Sequence, residues 1–345
     1  MKVFCVEKDK SLSVRDIPMP TYNESQVLVK TVACGVCGSD VKIMHQDLPA
    51  YYPWMTYPVM MGHEGVGQVV EVGSKVTKYK VGDYVLGATN PQLPELGLAS
   101  FAGGMAEYTI ATDPTNWDVE KYGPIRGYGR QQPVLPKWID PVDGTMVFTL
   151  REILAAVYTF GMKVGNNVCV FGCGPVGLTF IKYFSLMGLS PIIALDIIDS
   201  KKEEALEAGA DYFINSSDDS YIEKIKEILP LGAEYMVDAV GVPDLINKAM
   251  FYLQNTGKMC IYGVPAAHEM TLNWDHAPVN WQLLFQQDPI PDDVGLPYGQ
   301  VLGWLKNGAL DLKDFISDYF DFKDVIDIYK RFEKKEFSKK VIIKF

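Results

Sequence analysis

The chain has 345 residues, which is long for one compact unit and favours two domains. A hydrophobic fraction of 48% beside 22% charged residues is typical of a globular protein that buries a substantial core, and it argues against disorder. The formal net charge of −11 argues against a nucleic acid or an anionic membrane as partner.

Three features of the sequence lead us to expect a cytoplasmic protein. Charged residues interrupt the opening "MKVFCVEKDK" before the apolar core of a signal peptide could form. No uninterrupted apolar run reaches the length of a membrane span. The six cysteines are sparse for this length, and in a reducing compartment they are better interpreted as thiols or metal ligands than as disulfides.

The first part of the chain is expected to consist mainly of β-strands. The segments "QVLVKTVACG", "GQVVEVGSKV" and "GDYVLGA" are rich in valine and are separated by glycine turns, which is typical of strands. Patterns that favour helices are scarce before about Pro141.

After Pro141 the pattern changes to alternating strands and helices. The strand "NVCVF" precedes a helix from Pro175 to about Met187. The alternation continues through the strands "PIIALD", "DYFIN", "EYMVDAV" and "GKMCIYGV" and the helices "SKKEEALEAGA" and "YIEKIKEIL". Such alternation predicts a parallel sheet covered by helices on both faces.

The last part of the chain is expected to return to the first domain. Helices are predicted in "QVLGWLKNGALDL" and "VIDIYKRFEKK", and the closing strand "SKKVIIKF" has no helix after it. Such a strand fits an addition to the sheet of the first domain. We therefore predict a discontinuous first domain at residues 1–147 plus 295–345, with a dinucleotide-binding domain inserted at residues 148–294.

The segment "FGCGPVGL" has the G-x-G-x-x-G spacing of dinucleotide-binding loops, between a buried strand and a helix as the pattern requires. Its glycines allow a tight turn and a close approach of the backbone to a pyrophosphate, and a proline is tolerated at the helix start. We expect the cofactor to contact Gly172, Gly174, Pro175, Val176 and Gly177. The plainer alternative is an ordinary glycine turn in an α/β protein.

Asp196 ends the strand that follows the glycine loop. A carboxylate there can accept both ribose hydroxyls and would repel a 2′-phosphate, which favours NAD over NADP. Lys201, five residues further on, is expected near the adenine side of the cofactor. Lys201 and Lys202 could also meet a phosphate, so the preference for NAD stays open to that extent.

Two segments of the first part contain zinc-type donors, "ACGVCGSD" and "GHEGVGQVVEVGSKV". The second segment resembles, position by position, the zinc-containing alcohol dehydrogenase signature of the medium-chain dehydrogenase/reductase superfamily. The glycine loop, "LEAGADYFIN", "VDAVG" and "KKVIIKF" also fall in the order of that family. The resemblance therefore covers nearly the whole chain.

The resemblance implies an α/β protein in which a GroES-like, β-rich catalytic domain carries an inserted Rossmann domain. It also implies an enzyme that moves hydride between a secondary alcohol (a polyol, a sugar or a sugar derivative) and NAD, and a homodimer or homotetramer. Carried over by position, Cys37 and His63 become zinc ligands and Glu64 a direct or alternate ligand. Ser39 would take the substrate proton, and Asp40 would lie next to a zinc ligand without binding zinc itself.

The donor chemistry supports these ligands independently, because thiolate and imidazole are preferred by zinc and zinc lowers the pKa of a bound alcohol. Cys34 and Cys37 also form a C-x-x-C pair, which could be redox-active or half of a structural zinc site. No second C-x-x-C completes such a site, and the neighbouring His63 favours the catalytic interpretation.

The sequence departs from the family in two places that concern zinc binding. The region "GATNPQLPELGLASFAGGMAEYT" has no cysteine where many members bind a structural zinc, so we expect one catalytic zinc and no structural zinc. Where members carry a further ligand at the start of a helix, this chain has Phe148, which cannot bind zinc. Glu152, one helical turn later, could reach the metal instead. Alternatively, Glu152 lies in an ordinary helix and the metal site is degraded or empty.

Two other functions remain open from the sequence. One is a metal-free reductase of the same superfamily that acts on an activated double bond or a quinone. The other is an NAD-binding protein with little catalysis. The partner expected in the main interpretation is a small alcohol or carbonyl compound. Arg126 and Arg130 could recognise a carboxylate or phosphate, or they could form a subunit contact.

Overall fold

The computed structural model describes residues 1–48, 52, 55–125, 131–265, 269–287 and 291–345. Its contacts divide the chain into two compact units, Met1–Arg151 with Ile290–Phe345, and Glu152–Pro289. The first unit is thus discontinuous in sequence. Arg126 and Arg130 lie outside the described residues.

Every strand predicted from the sequence is present. The strands are, in chain order, β1 (Lys2–Val6), β2 (Leu12–Asp16), β3 (Gln26–Val36), β4 (Val59–Met60), β5 (Glu64–Val72), β6 (Tyr84–Leu86), β7 (Ala99–Ser100), β8 (Tyr108–Thr112), β9 (Val168–Phe171), β10 (Ile192–Asp196), β11 (Tyr212–Asn215), β12 (Ala233–Asp238), β13 (Leu253–Ile261), β14 (Gln282–Phe285), β15 (Ile316–Asp321) and β16 (Lys340–Lys344).

The helices vary from one turn to four turns in length. They are α1 (Gly38–His45), α2 (Val119–Tyr122), α3 (Met146–Phe160), α4 (Pro175–Leu186), α5 (Lys202–Ala208), α6 (Ser220–Ile228), α7 (Asp244–Ala249), α8 (Gly295–Lys306) and α9 (Val325–Glu333). No helix in the described part of the chain is long and apolar enough to cross a membrane.

The described residues of the first unit form two sheets, and the larger one positions the predicted metal ligands. Its strands are ordered β15-β16-β3-β5-β6, and β8 pairs with β3 outside that path. The closing strand β16 is antiparallel to β3, which confirms that the chain returns to the sheet of its first part. β3 is also antiparallel to β5, with Gly35 opposite Glu64.

In the second unit, the residues that the structure describes form one parallel sheet of six strands, in the order β11-β10-β9-β12-β13-β14. Its central strand β9 is buried along its whole length, as expected for a strand that is covered on both faces. The predicted alternation of strands and helices is therefore confirmed, and the chain has the α/β class.

Before Pro141 the described α-helices, α1 and α2, are short, in keeping with the scarce helical patterns of that region. One expectation about helices was wrong. The helix predicted in "QVLGWLKNGALDL" ends at Lys306 instead of continuing to Leu312. Gly308, at a φ of +77°, adopts a left-handed conformation that cannot continue a right-handed helix.

Candidate metal centre and dinucleotide site

Three of the predicted ligands converge in the first unit. One donor atom each from Cys37, His63 and Glu64 lies within 4.8 Å of the other two, and no other such group occurs in the ranges that the structure describes. His63 and Glu64 are buried, with 5% and 1% of their surface exposed, whereas Cys37 is half-buried. The group therefore combines buried donors with one donor that solvent or a substrate can approach.

The larger sheet explains why these residues meet. Cys37 follows the last residue of β3 and caps helix α1 in an extended conformation. Glu64 is the first residue of β5, and His63 precedes it. Because β3 and β5 are antiparallel neighbours, the end of one strand lies beside the start of the other.

Two glycines make room for this arrangement. A Cβ atom on Gly35 would lie 2.4 Å from Oε2 of Glu64, so only glycine lets the carboxylate lie against β3. Gly62 has a φ of +87°, and a Cβ atom there would lie 2.6 Å from the backbone nitrogen of Met105. The turn that leads into His63 therefore requires glycine for conformation as well as for space.

The carboxylate of Glu64 is held by two buried partners. Lys340, the first residue of β16, donates from Nζ to Oε1 at 2.8 Å and to Oε2 at 2.7 Å. Thr149 donates its hydroxyl to Oε1 at 2.7 Å. Each carboxylate oxygen has two lone pairs, so Oε1 is fully used while Oε2 retains one lone pair for a further partner.

The imidazole of His63 lies between aromatic rings and a buried carboxylate. Its ring makes edge contacts with Phe101 and Phe148, at centroid separations of 5.5 and 5.9 Å. The guanidinium of the buried Arg151 stacks on the ring of Phe148, with its Cζ atom 4.6 Å from the ring centroid. The buried carboxylate is that of Asp40, whose Oδ1 lies 3.6 Å from Nδ1 of His63.

The electrostatics of the group favour a positive charge at its centre. Burial alone would lower the pKa of His63, but the hydrogen-bonded Cys37 and two neighbouring carboxyl groups raise it to about 10. Burial would likewise raise the pKa of Glu64, yet Lys340 holds it below its ordinary value. A cluster of acidic groups that draws a proton onto its imidazole would also attract a metal cation.

The residues present fit a zinc ion. The group supplies a thiol, an imidazole and a carboxylate oxygen with a free lone pair, which are the donor types of zinc sites that keep a position open for substrate. Ser39 is the second residue of α1 and is half-buried. Glu152 belongs to the second unit, and its role as a ligand stays a prediction.

Cys34, the other member of the C-x-x-C pair, is fully buried inside β3. Burial raises the pKa of its thiol well above the ordinary value. A protonated, inaccessible thiol is a poor nucleophile, so the redox-active interpretation of the pair loses its support.

The glycine loop of the second unit has the local geometry that a dinucleotide needs. Gly172 has a φ of +91°, and a Cβ atom on Gly177 would lie 1.7 Å from the carbonyl oxygen of Gly172. In contrast, nothing lies within 4 Å of a Cβ atom built on Gly174, the residue that caps α4. This open space lets a phosphate approach the first turn of the helix, which begins at Pro175 and Val176.

Asp196 and Lys201 are already engaged in hydrogen bonds. Oδ2 of Asp196 accepts from the backbone nitrogen of Cys173 at 2.7 Å, and Oδ1 accepts from that of Ile198 at 3.0 Å. These bonds fix the carboxylate beside the glycine loop. Nζ of Lys201 donates to both carboxylate oxygens of Glu204, at 3.1 and 3.0 Å.

Several residues around the candidate metal centre were not identified from the sequence. Thr149, Tyr329 and Gly35 carry no pattern that singles them out. Lys340 does have a signal in the sequence, because it directly precedes the apolar run "VII" in a predicted strand, and the structure buries it together with that run. A lysine in such a place needs a buried acidic partner, although the sequence does not say which one.

Family models and individual relatives match the chain. The model of the alcohol dehydrogenase GroES-like domain matches residues 23–121, and that of the zinc-binding dehydrogenase matches residues 175–285. Sorbitol dehydrogenase of Bombyx mori is 27% identical over 333 residues, which is 92% of each chain. (R,R)-Butanediol dehydrogenase of Bacillus subtilis (strain 168) is 30% identical over 287 residues, which cover 76% of this chain and 78% of the relative.

Solved structures share the fold over the whole chain. The crystal structure of 2R,3R-butanediol dehydrogenase from Bacillus subtilis superimposes with a TM-score of 0.80 at 24% identity. The match covers 100% of this chain and 99% of that one. At this identity the superposition supports the fold, and the chemistry has to be argued from the residues themselves.

Proposed function

This chain belongs to the family of zinc-binding alcohol dehydrogenases, and from that premise we propose that it transfers hydride between a secondary alcohol and NAD. It is an oxidoreductase that acts on CH–OH groups. The observation that carries the proposal is the convergence of Cys37, His63 and Glu64, with donor atoms within 4.8 Å of one another.

In the proposed enzyme, these three residues hold a single catalytic zinc. Bound zinc would polarise the alcohol and lower the pKa of its hydroxyl, while the nicotinamide would accept the hydride. Lys340 and Thr149 keep the carboxylate of Glu64 in place through hydrogen bonds of 2.7–2.8 Å.

The hydroxyl of Ser39 takes the proton of the substrate in this scheme. It lies two residues after Cys37, on the first turn of α1, and is half-buried. A hydroxyl at that place can hand a proton from a buried reaction centre towards solvent.

The cofactor that we propose is NAD rather than NADP. Asp196 is held beside the glycine loop by two backbone hydrogen bonds, so its carboxylate is available to ribose hydroxyls and would repel a 2′-phosphate. Lys201, the nearest candidate for binding that phosphate, is paired with Glu204 on both oxygens. Its positive charge is therefore largely neutralised.

The substrate class that we propose is a polyol, a sugar or a sugar derivative. The support is the match to relatives named sorbitol dehydrogenase and (R,R)-butanediol dehydrogenase, whose named substrates carry neighbouring hydroxyl groups. The family resemblance also leads us to propose a homodimer or homotetramer. We further propose a reducing, cytoplasmic location, in keeping with six free cysteines.

A substrate screen tests this function directly. The zinc-loaded protein is incubated with NAD and a panel of diols, polyols and sugar alcohols, and the absorbance of reduced nicotinamide is followed. We expect turnover with at least one secondary alcohol, its loss in Cys37→Ala, and its retention in the matched variant Cys34→Ala, which removes a neighbouring thiol outside the donor group.

Two outcomes would overturn the proposal. Reduction of an activated double bond or a quinone, without oxidation of any alcohol, would indicate the metal-free reductase. Binding of NAD without turnover of either substrate class would indicate an NAD-binding protein with little catalysis.

A further inference from the structure

Two side-chain contacts link helix α9, near the C-terminus, to α1, the helix that follows Cys37. Tyr329 on α9 donates its hydroxyl to Oδ2 of Asp40 on α1 at 3.0 Å, and both residues are fully buried. One turn further along α9, Glu333 pairs with His45 at the end of α1, with Nε2 and Oε1 2.8 Å apart. The two bonds fix α1 along its length against α9.

Asp40 connects this contact to the metal centre. Its Oδ2 also accepts a hydrogen bond from the backbone nitrogen of Cys37 at 3.0 Å. Its Oδ1 faces Nδ1 of His63 at 3.6 Å, and within the described part of the chain neither atom has a hydrogen-bond partner. A slight rotation of either side chain would bring the two atoms into hydrogen-bond distance.

We propose that Tyr329 is a positioning residue for the metal centre and acts through Asp40 on His63. By holding Oδ2, its hydroxyl directs Oδ1 towards Nδ1 of His63, which leaves Nε2 of the imidazole as the donor for a metal. A carboxylate that accepts the outer N–H of a histidine fixes its tautomer and ring orientation. This inference rests on the proposed zinc enzyme.

The hydroxyl of Tyr329 is separable from the packing of its ring. The ring stacks at a tilt on Phe4, with centroids 4.5 Å apart, and a phenylalanine would keep that contact. Removal of the hydroxyl alone leaves Oδ2 of Asp40 with its bond to the backbone of Cys37 and frees the carboxylate to turn away from His63. The substitution Tyr329→Phe therefore tests whether the hydroxyl positions Asp40, with little loss of packing.

Zinc affinity is the measurement that distinguishes positioning from structure. Wild type, Tyr329→Phe and Tyr79→Phe are loaded with zinc and titrated with a competing chelator of known affinity. Tyr79 is the matched control, because it is buried and donates to the backbone oxygens of Thr112 and Gln132. We expect about tenfold weaker zinc binding for Tyr329→Phe and none of this loss for the control.

A double-mutant cycle identifies the route of the effect. If Tyr329 acts through Asp40, Tyr329→Phe should weaken zinc binding in the wild-type background and have no further effect in Asp40→Asn. Equal zinc affinity in wild type and Tyr329→Phe would overturn the inference, as would an equal loss in Tyr79→Phe. A wild-type protein that takes up no zinc would instead overturn the proposed function itself.

Discussion

The buried pair of Lys340 and Glu64 gives the most demanding prediction for stability. Their side chains are 6% and 1% exposed, and Nζ of Lys340 bonds both oxygens of the carboxylate. Burial would lower the pKa of Lys340, but Glu64 raises it above its ordinary value, so both groups are charged at neutral pH. We consider the substitution Lys340→Met, which keeps most of the length of the side chain and removes the ammonium group with its charge and its two hydrogen bonds.

The magnitude follows from what the substitution leaves behind. Glu64 would keep its bond to Thr149 and the neighbouring His63, but this buried carboxylate would lose the cation that bonds both of its oxygens. Loss of one partner of a buried pair costs about 3–5 kcal/mol of the free energy of unfolding. Replacement of both charges, in Lys340→Met with Glu64→Gln, should recover most of that loss.

Zinc should reduce the effect of this substitution. A cation bound beside Glu64 would compensate the carboxylate that Lys340 no longer neutralises. We therefore expect the free energy of unfolding to fall less in the zinc-loaded protein than in the metal-free protein. Urea unfolding of both forms, followed by tryptophan fluorescence, measures the difference.

A second lysine of the same strand serves as the control. Nζ of Lys344 lies 3.5 Å from Oδ1 of Asp321, but these side chains are 44% and 58% exposed. Lys344→Met should therefore lower the free energy of unfolding by less than about 1 kcal/mol. If Lys340→Met costs no more than Lys344→Met, or if zinc does not reduce its cost, our account of the pair is wrong.

Three other predictions concern acid stability and the cofactor. Asp113 accepts three backbone N–H bonds, which outweigh burial and lower its pKa to about 2. This pKa shift contributes about 2 kcal/mol to the free energy of unfolding. The contribution is present above the unfolded-state pKa of about 3.9 and is lost as the pH falls through 2, so the free energy of unfolding of Asp113→Asn should depend less on pH in acid. Asp196→Ser should raise KM for NAD about tenfold and lower KM for NADP, since the carboxylate binds the ribose hydroxyls of NAD and repels the 2′-phosphate of NADP; a change in the same direction for both cofactors would contradict this. Gly177→Ala should abolish NAD binding in a fluorescence titration, because its Cβ atom would lie 1.7 Å from a backbone oxygen of the glycine loop.

The features that could be predicted from the sequence are those encoded by local patterns. The strand before the glycine loop, the loop itself and helix α4 are contiguous, so spacing alone identified them. Cys37, His63 and Glu64 were predicted as ligands because the segments that carry them resemble the motifs of the family, and the structure brings one donor atom of each within 4.8 Å of the other two. The end of α8 was predicted wrongly for a local reason as well, because the helical pattern of the sequence continues past Gly308, which adopts a left-handed conformation.

The side chains that support the candidate metal centre could not be predicted, because they come from distant parts of the chain. Lys340 is 276 residues from Glu64, and Tyr329 is 289 residues from Asp40. The return of β16 to the first sheet was expected, but the sequence does not specify which side chain of that strand faces which acid. Such pairings depend on strand register and on the docking of α9, which only the folded chain determines.

Zinc content per chain tests the central claim most directly. Protein purified without chelator would be analysed by mass spectrometry for metal, together with the variants Cys37→Ala and Cys34→Ala. Our account predicts close to one zinc per chain in wild type and in Cys34→Ala, and almost none in Cys37→Ala with NAD binding retained. A wild-type protein without zinc, or a Cys37→Ala variant that keeps it, would contradict the assignment of Cys37, His63 and Glu64 as the catalytic metal site.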